Sequence, residues 1–399
     1  MELSNLEPLP ILVFSNLVMV AFLLLLGRKS LRDPYTLRPW RRYLMILTAL
    51  VFCLFSFWGT DWFHYAEMYI NLVYMDGFNT SLEDVYYLIA NYLSPNYLVF
   101  RAIIWGCALY LLCLICKHVS ARADLIFSIF CGLWLIDFGY GRVVLAYTLM
   151  FLGGAIISKP INGKILSSLI LGGFLILASA FFHKSAFFGI FLVLLAFPSK
   201  LLNKRTFVLI MMAYPFVLLL VQLLLAQFMD SAVDSSGRNT FSTAGQEYLN
   251  SDTEEMGIAK IMLTLIRNIP YYLVAWIGYK ASVFKPEEEE EEPELDSDTQ
   301  SESESEVVEV PADIRFFSRL LFYIVLVSTI FLFDLGANTF PLYVRFMMFG
   351  FIPACVVLAW AWQNDFCPRL VKYTYIIGLG GTCFALLYSF YISYLGVAT

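Results

Sequence analysis

The sequence predicts an all-α protein that crosses a membrane about 12 times as a polytopic helical bundle. Of its 399 residues, 60% are hydrophobic and 15% are charged, whereas a soluble domain carries about 25% charged residues. The apolar residues fall in continuous runs, and a helix needs about 20 of them to cross the hydrocarbon core. Because backbone amides inside lipid must bond to one another, continuous runs indicate helices rather than alternating strands.

The apolar runs define the expected spans. The shortest runs, 143–157 and 185–197, fit a re-entrant segment as well as a full span. We predict spans at 10–26, 43–58, 97–116, 124–138, 143–157, 165–182, 185–197, 206–228, 258–278, 316–335, 343–362 and 373–394.

The basic residues orient these spans. Loop 27–42 carries six Lys and Arg residues, and short loops rich in Lys and Arg stay in the cytoplasm. Alternation of the spans then puts the N- and C-termini both outside, in a multi-pass membrane protein. Of the 26 basic residues, this arrangement leaves seven away from the cytoplasmic side: Arg101, Arg142, Lys184, Arg238, Lys260, Arg267 and Arg345.

Three loops are large within what we treat as a single transmembrane domain. The first outer loop, 59–96, contains an amphipathic stretch at 86–93 that is typical of a helix lying on a membrane. The second outer loop, 229–257, is polar. The cytoplasmic segment 286–313 contains six consecutive glutamates at 287–292, cannot bury apolar area, and is expected to be a disordered spacer.

Several function classes lack their sequence signals. The chain has no phosphate loop, no nucleophile elbow, no metalloprotease motif and no dinucleotide fingerprint, and no feature indicates nucleic-acid binding. It has three histidines without metal-ligand spacing, so we expect neither a metal nor another cofactor.

The basic residues outside the cytoplasmic side are the first candidates for a site, because ionisable groups in or beside spans are costly. Arg142 begins a span, where an anchor to lipid headgroups is the alternative reading. His183 and Lys184 lie in a tight turn between two spans, where a structural histidine is the alternative. Arg345 lies just inside a span, where a guanidinium suits a bidentate grip on phosphate oxygens.

The other candidates have weaker positions. Arg267 lies within a span and serves either as an ion-pair partner or as a cavity residue. Arg238 belongs to the polar second loop, and Arg101 is an anchor or a binding residue. Asp61 follows the second span and is either a base or a helix-end polar residue.

Four short pieces of sequence occur in order on the predicted outer side. They are Asp61 followed by Tyr65 and Tyr69 and then EDVYYL at 83–88, GRVVLA at 141–146, FHKSA at 182–186, and Arg345 in a late aromatic span. In this order they resemble the EpsG-like branch of the bacterial polysaccharide polymerases of the Wzy type, over roughly residues 60–360. The acidic segment 286–313 departs from the usual pattern of that family.

The resemblance implies a metal-independent glycosyltransferase that joins undecaprenyl-diphosphate-linked oligosaccharides into capsular, exo- or O-antigen polysaccharide at the outer face of a bacterial inner membrane. Arg142 and Arg345 would stabilise the diphosphate leaving group, and His183 or Asp61 would be the base. The predicted substrate-binding residues are Arg238, Arg267, Lys184, Arg101, Tyr65 and Tyr86. The expected partners are the lipid bilayer, these lipid-linked sugars and a chain-length regulator.

Other functions remain open from sequence alone. An O-antigen ligase shares the lipid-diphosphate chemistry but uses a different acceptor, and a membrane acyltransferase is a further option. A lipid-linked oligosaccharide flippase or transporter suits the number of spans, yet it would concentrate polar residues near the middle of the membrane. The unexplained charges here favour the outer side.

Overall fold

The computed structural model describes residues 39–55, 84–135, 142–183, 186–197, 258–283, 309–333 and 340–395, with single residues at 18, 21, 66, 69, 70 and 73. The predicted spans 10–26 and 206–228 therefore lie outside the described residues, apart from positions 18 and 21. So do the second outer loop 229–257, most of the acidic segment 286–313, and most of the first outer loop before residue 84.

The described part of the chain is helical and contains no strand, which confirms the all-α prediction. The helices are α1 Pro39–Phe55, α2 Asp84–Leu88, α3 Tyr97–His118, α4 Ala123–Ile129, α5 Arg142–Ser158, α6 Ile165–Phe182, α7 Ala186–Ala196, α8 Ile258–Val283, α9 Ala312–Phe333, α10 Phe340–Met348, α11 Phe351–Gln363 and α12 Pro368–Leu395. Short π-helical turns, Ile89–Leu93 and Phe130–Trp134, continue α2 and α4.

Two of the described helices, α3 and α6, are long and apolar enough to cross a membrane. Shorter apolar helices lie at Tyr43–Leu54, Ala123–Trp134, Val143–Ser158 and Phe351–Gln363. Each predicted span that falls in the described residues overlaps one of the helices α1 to α12, except 343–362, which covers both α10 and α11; the span 165–182 coincides with α6 from end to end.

Local sequence sets the ends of these helices. Asn96 caps α3, because its side-chain oxygen accepts a hydrogen bond from the Val99 amide at 3.0 Å and so satisfies a free donor of the first turn. The turn between α5 and α6 reverses the chain through Asn162 and Gly163, whose φ angles are 51° and 71°. Glycine and asparagine are the residues that adopt this left-handed conformation most readily.

The predicted span 343–362 is interrupted, and α10 and α11 are separate helices. The amides of Phe349 and Gly350 bond to carbonyls three residues earlier rather than four, which tightens the chain. Pro353 has no amide hydrogen, so it leaves the Phe349 carbonyl without its helical donor. The region predicted as the span 343–362 is therefore two helices in succession, and this proline supplies a physical reason for the break between them.

One end of the bundle is held together by hydrogen bonds between turns. Asp313, buried at the start of α9, accepts hydrogen bonds from the amide and hydroxyl of Ser120, at 2.5 and 2.9 Å. Lys159 donates to the same hydroxyl at 3.1 Å, and the Arg122 amide donates to Gln363 at 2.9 Å. The turns 119–122, 159–164 and 364–367 therefore share one end with the start of α9, which we call the turn end. The opposite end, where α3, α5, α7 and α10 begin, is the motif end.

Candidate functional site at the motif end

The tightest helix pair in the described structure brings Arg142 and His183 to the same end. Helices α5 and α6 are antiparallel, and their backbones touch at Gly153 and Gly172. A Cβ added to Gly153 would lie 2.5 Å from the Gly172 carbonyl oxygen, and one added to Gly172 would lie 2.7 Å from that of Gly153. Only glycine allows this approach.

Helical geometry extends this contact to the motif end. Arg142 precedes Gly153 by eleven residues, and His183 follows Gly172 by eleven residues. Eleven residues make about three turns, so each position returns to the side of its helix that carries the glycine. In an antiparallel pair the two positions then lie within about one turn, roughly 5 Å, of each other along the bundle axis.

An aromatic layer joins α10 and the turn after it to helices α5 and α7. The Tyr147 ring of α5 stacks on Phe349, with centroids 3.7 Å apart and planes inclined by 27°. The Phe188 ring of α7 meets Phe346 edge-on at 4.5 Å. Arg345 directly precedes Phe346 in α10 and therefore lies on the motif side of this layer.

The segments that carry Arg142, His183 and Arg345 therefore reach the same end of the bundle. Arg142 lies about one and a half helical turns from Tyr147 in the direction of the motif end, and Arg345 lies about one turn from Phe349 in the same direction. Because α5 and α10 run in the same direction from the motif end, the backbones of these two arginines lie at about the same height. His183 closes the turn that leads into α7, where its carbonyl accepts a hydrogen bond from Ala186 at 2.9 Å.

The opposite side of α10 is fixed by a buried polar network. Asn268 of α8 donates to the Tyr343 hydroxyl at 3.2 Å, and both residues are buried. One turn further along α8, the Tyr272 hydroxyl lies 3.0 Å from the Thr329 hydroxyl of α9. Positions 343 and 345 are about 200° apart around a helix, so this network holds α10 on the side away from Arg345.

The segment that precedes α3 covers the end of α6. Tyr86 is fully buried, and its ring meets Phe182 edge-on at 6.3 Å. Phe182 immediately precedes His183. Tyr69 donates a hydrogen bond to the Ser94 carbonyl at 2.9 Å and packs against Tyr97 at the start of α3. The EDVYYL and FHKSA pieces of sequence are thus in direct contact.

One known family matches most of this chain. The model of the EpsG family matches residues 40–395, a range that includes all four pieces of sequence. This chain belongs to the EpsG family. No curated protein and no solved structure matches it at a significant level. EpsG membership indicates a polymerase-like role in polysaccharide biosynthesis, and together with the apolar helices it indicates a membrane protein.

Arg101 of this EpsG-family chain is buried at the motif end and joins α1 to α3. Its guanidinium donates to the Cys53 carbonyl of α1 and to the Tyr97 hydroxyl at 3.1 Å, and it lies 4.3 Å from the Trp105 ring. These contacts hold α1 against α3. Substrate binding by Arg101 stays a prediction, as does binding by Tyr86, which is a packing residue between α2 and α6.

The remaining predicted residues are described to different extents. Arg267 is half-buried in α8 beside Asn268, and its backbone approaches Gly381 of α12. The structure describes the backbone positions of Arg142 and Arg345 but not their side chains. Four predicted site residues lie outside the described residues: Asp61, Tyr65, Lys184 and Arg238.

Sequence reasoning did not single out the residues that position the motif-bearing helices of this EpsG-family protein. The paired glycines 153–154 and 172–173 were a usable signal, because small residues allow helix backbones to approach inside a membrane. Tyr343 and Asn268 gave no such signal, since neither is charged and each pairs with a distant segment. The arrangement places the backbones of two arginines and a histidine at one end of the bundle. Such a set of cationic residues is suited to binding an anion.

Proposed function

We propose that this protein joins lipid-diphosphate-linked oligosaccharide repeat units into a polysaccharide at the outer face of a bacterial inner membrane. The observation that supports the proposal is that the backbones of Arg142, His183 and Arg345 all lie at the motif end, where the glycine contact joins α5 to α6 and aromatic contacts join α10 to α5 and α7. A site built from cationic groups suits a reaction whose leaving group is a diphosphate.

The proposed topology has 12 spans with both termini outside, so that the motif end faces outward. The hydrogen-bonded turns at the opposite end support it, since 119–122, 159–164 and 364–367 are all loops that charge counting assigns to the cytoplasm. The antiparallel α5–α6 pair and the common direction of α5 and α10 agree with the same alternation.

The proposed reaction moves the growing glycan from one lipid to another. A hydroxyl oxygen of the incoming repeat unit forms a bond to the anomeric carbon of the growing chain. The bond from that carbon to the phosphate oxygen breaks, and undecaprenyl diphosphate leaves with the electron pair. The hydroxyl proton passes to a base, His183 or Asp61. General-base catalysis of this kind contributes about 10²–10⁴-fold to the rate.

The arginines supply the electrostatic part of the catalysis. Negative charge grows on the diphosphate as its bond to the sugar breaks, and preorganised donors in a site of low dielectric stabilise that charge. We assign this role to Arg142 and Arg345, with Arg238, Arg267 and Lys184 as further phosphate contacts. Tyr65 would stack on a sugar ring, whereas Arg101 and Tyr86 would act by holding α1, α2, α3 and α6 in place.

The decisive experiment is reconstitution with defined substrate. Purified protein in detergent or vesicles is incubated with lipid-linked repeat units, with and without a chelator, and the products are separated by size. A ladder of repeats that persists with the chelator supports the metal-independent polymerase. One chain transferred to a different acceptor would indicate a ligase, and movement of the lipid-linked sugar across the bilayer without any polymer would indicate a flippase.

A further inference from the structure

A second cationic site lies in α9, at the turn end and away from the motif end. Arg315, Arg319 and Tyr323 are spaced by four residues, so they form one stripe along the helix. The Nε atoms of both arginines and the hydroxyl of Tyr323 are buried and have no hydrogen-bond partner in the described structure. The Ser318 hydroxyl, on the neighbouring side of α9, is buried and unpartnered in the same way.

Burial makes this stripe different from an ordinary inner-leaflet anchor. Arg319 is 8% exposed and Tyr323 is 2% exposed, so the guanidinium of Arg319 lies inside the protein and does not extend from its surface. Its one hydrogen bond in the described structure is a long one, 3.4 Å, to the Phe197 carbonyl at the end of α7. That carbonyl cannot neutralise a full positive charge.

The described carboxylates leave the stripe without a counter-charge. Asp313 lies on the same helix but accepts both of its hydrogen bonds from Ser120. Among the described side chains, the one ion pair within 4.0 Å joins Arg122 and Asp124. Arg315 and Arg319 also repel each other, because like charges four residues apart on a helix are unfavourable. A buried charge of this kind is normally paired.

We propose that Arg315, Arg319 and Tyr323 form a binding site for a phosphate group that enters between α7 and α9 from the turn end. Two guanidinium forks and a phenol match the geometry of phosphate oxygens, and arginine binds them in a bidentate manner. Arg319 lies about 9 Å along α9 from Asp313, close to the proposed cytoplasmic surface. The phosphate belongs either to an anionic lipid headgroup or to a free phosphate ion.

The test measures thermal unfolding of the purified full-length protein in a neutral maltoside detergent. Wild type, Arg319→Gln, Arg315→Gln and Tyr323→Phe are each titrated with phosphatidylglycerol, phosphatidylcholine or inorganic phosphate at constant ionic strength. Arg369→Gln is the matched control, because Arg369 is an exposed arginine at the same end. Native mass spectrometry of the same samples counts the bound lipid molecules.

The site predicts a specific pattern. The anion raises the unfolding temperature of wild type and Arg369→Gln, and at least tenfold more of it is needed for Arg319→Gln, with smaller losses for Arg315→Gln and Tyr323→Phe. A response to phosphatidylglycerol but not to inorganic phosphate identifies a lipid headgroup, and the reverse identifies a free ion.

Other results overturn the proposal. One is an unfolding temperature of wild type that responds to neither anion. Another is an equal response in wild type and all three stripe variants. A third is that Gln substitution of glutamates 287–292 lowers the unfolding temperature of wild type but not of Arg319→Gln, which would make the acidic segment the counter-charge. If Arg319→Gln does not fold, Arg315→Gln and Tyr323→Phe carry the test.

Discussion

The ring of Tyr147 stacks on the ring of Phe349, with centroids 3.7 Å apart. This contact fixes the position of Arg142 relative to Arg345 along the axis of the bundle. Tyr147 belongs to the helix that begins at Arg142, and Phe349 follows the helix that contains Arg345. Because the stack joins two helices that run in the same direction, it sets both arginines at the motif end. The proposed grip on diphosphate depends on this alignment.

Replacing either arginine is expected to stop polymer formation without unfolding the protein. Arg142→Ala and Arg345→Ala each remove a donor to the developing charge, which typically costs about 10²–10³-fold in rate. Product ladders measure the loss, and the unfolding temperature reports on folding. Arg369→Ala, an exposed arginine at the opposite end, should leave the ladder intact. Long polymer from both motif-end variants would remove the basis of the proposed mechanism.

The contact between α5 and α6 allows a matched pair of glycine substitutions. Gly153→Ala puts a methyl group 2.5 Å from the Gly172 carbonyl oxygen, and such overpacking costs about 1–3 kcal/mol. Gly173→Ala has nothing within 4 Å and should stabilise the helix by about 0.5–1 kcal/mol. We therefore expect opposite shifts in the unfolding temperature, and shorter polymer from Gly153→Ala alone. Equal shifts would mean that the two backbones do not touch.

The sequence was enough to define where the helices lie. Helix α6 coincides with the predicted span 165–182, because Lys164 and His183 bracket an uninterrupted apolar run. Hydropathy could not show the break between α10 and α11, although Gly350 and Pro353 were visible. It also could not show the π-helical turn Phe130–Trp134, near which the Leu133 carbonyl accepts a hydrogen bond from Thr382 of α12 at 3.1 Å.

The candidate site was less accessible from sequence. The distribution of Lys and Arg residues indicated Arg142 and Arg345 because both fall on the predicted outer side, where basic residues are rare. It could not show that their helices meet, since that depends on contacts between Tyr147 and Phe349 and between Gly153 and Gly172. The family resemblance also implied Tyr86 as a substrate-binding residue, and the structure buries that ring completely.

Burial of Tyr86 predicts a structural defect when the ring is removed. Tyr86→Ala leaves a cavity against Phe182, and deleting a buried aromatic ring costs about 3–5 kcal/mol. The loss should appear as a lower unfolding temperature, and activity should recover partly in Tyr86→Phe, which keeps the ring. Tyr92→Ala is the control, because Tyr92 lies in the following π-helical turn and is 75% exposed. Equal stability of Tyr86→Ala and Tyr92→Ala would contradict the packing.

The buried hydrogen bond between Asn268 and Tyr343 is expected to position Arg345 rather than to touch substrate. Tyr343→Phe removes the hydroxyl and leaves the Asn268 amide short of a partner, at a cost of about 1–3 kcal/mol. In the reconstituted reaction we expect kcat to fall several-fold with little change in KM, since binding groups are retained. A double-mutant cycle with Asn268→Ala should give a coupling energy of about 0.5–3 kcal/mol. Additive effects, or a change in KM alone, would exclude this role.

The orientation of the bundle can be tested with two single-cysteine positions at opposite ends. Asn91 lies in the exposed part of the segment after α2, at the motif end, and Lys164 lies in the exposed turn between α5 and α6, at the turn end. A thiol reagent that cannot cross membranes should label Asn91→Cys in intact cells. It should label Lys164→Cys only after the inner membrane is opened, because the turn end carries the loops rich in Lys and Arg.

The unmodified protein supplies the background for this labelling, since it already contains exposed Cys107 and Cys383. Labelling of Lys164→Cys but not Asn91→Cys in intact cells would invert the bundle. The motif end would then face the cytoplasm, where a polymerase of exported repeat units could not use it. Such an inversion would count against the outer-face reaction, while the contacts between Tyr147 and Phe349 and between Tyr86 and Phe182 would stand unchanged.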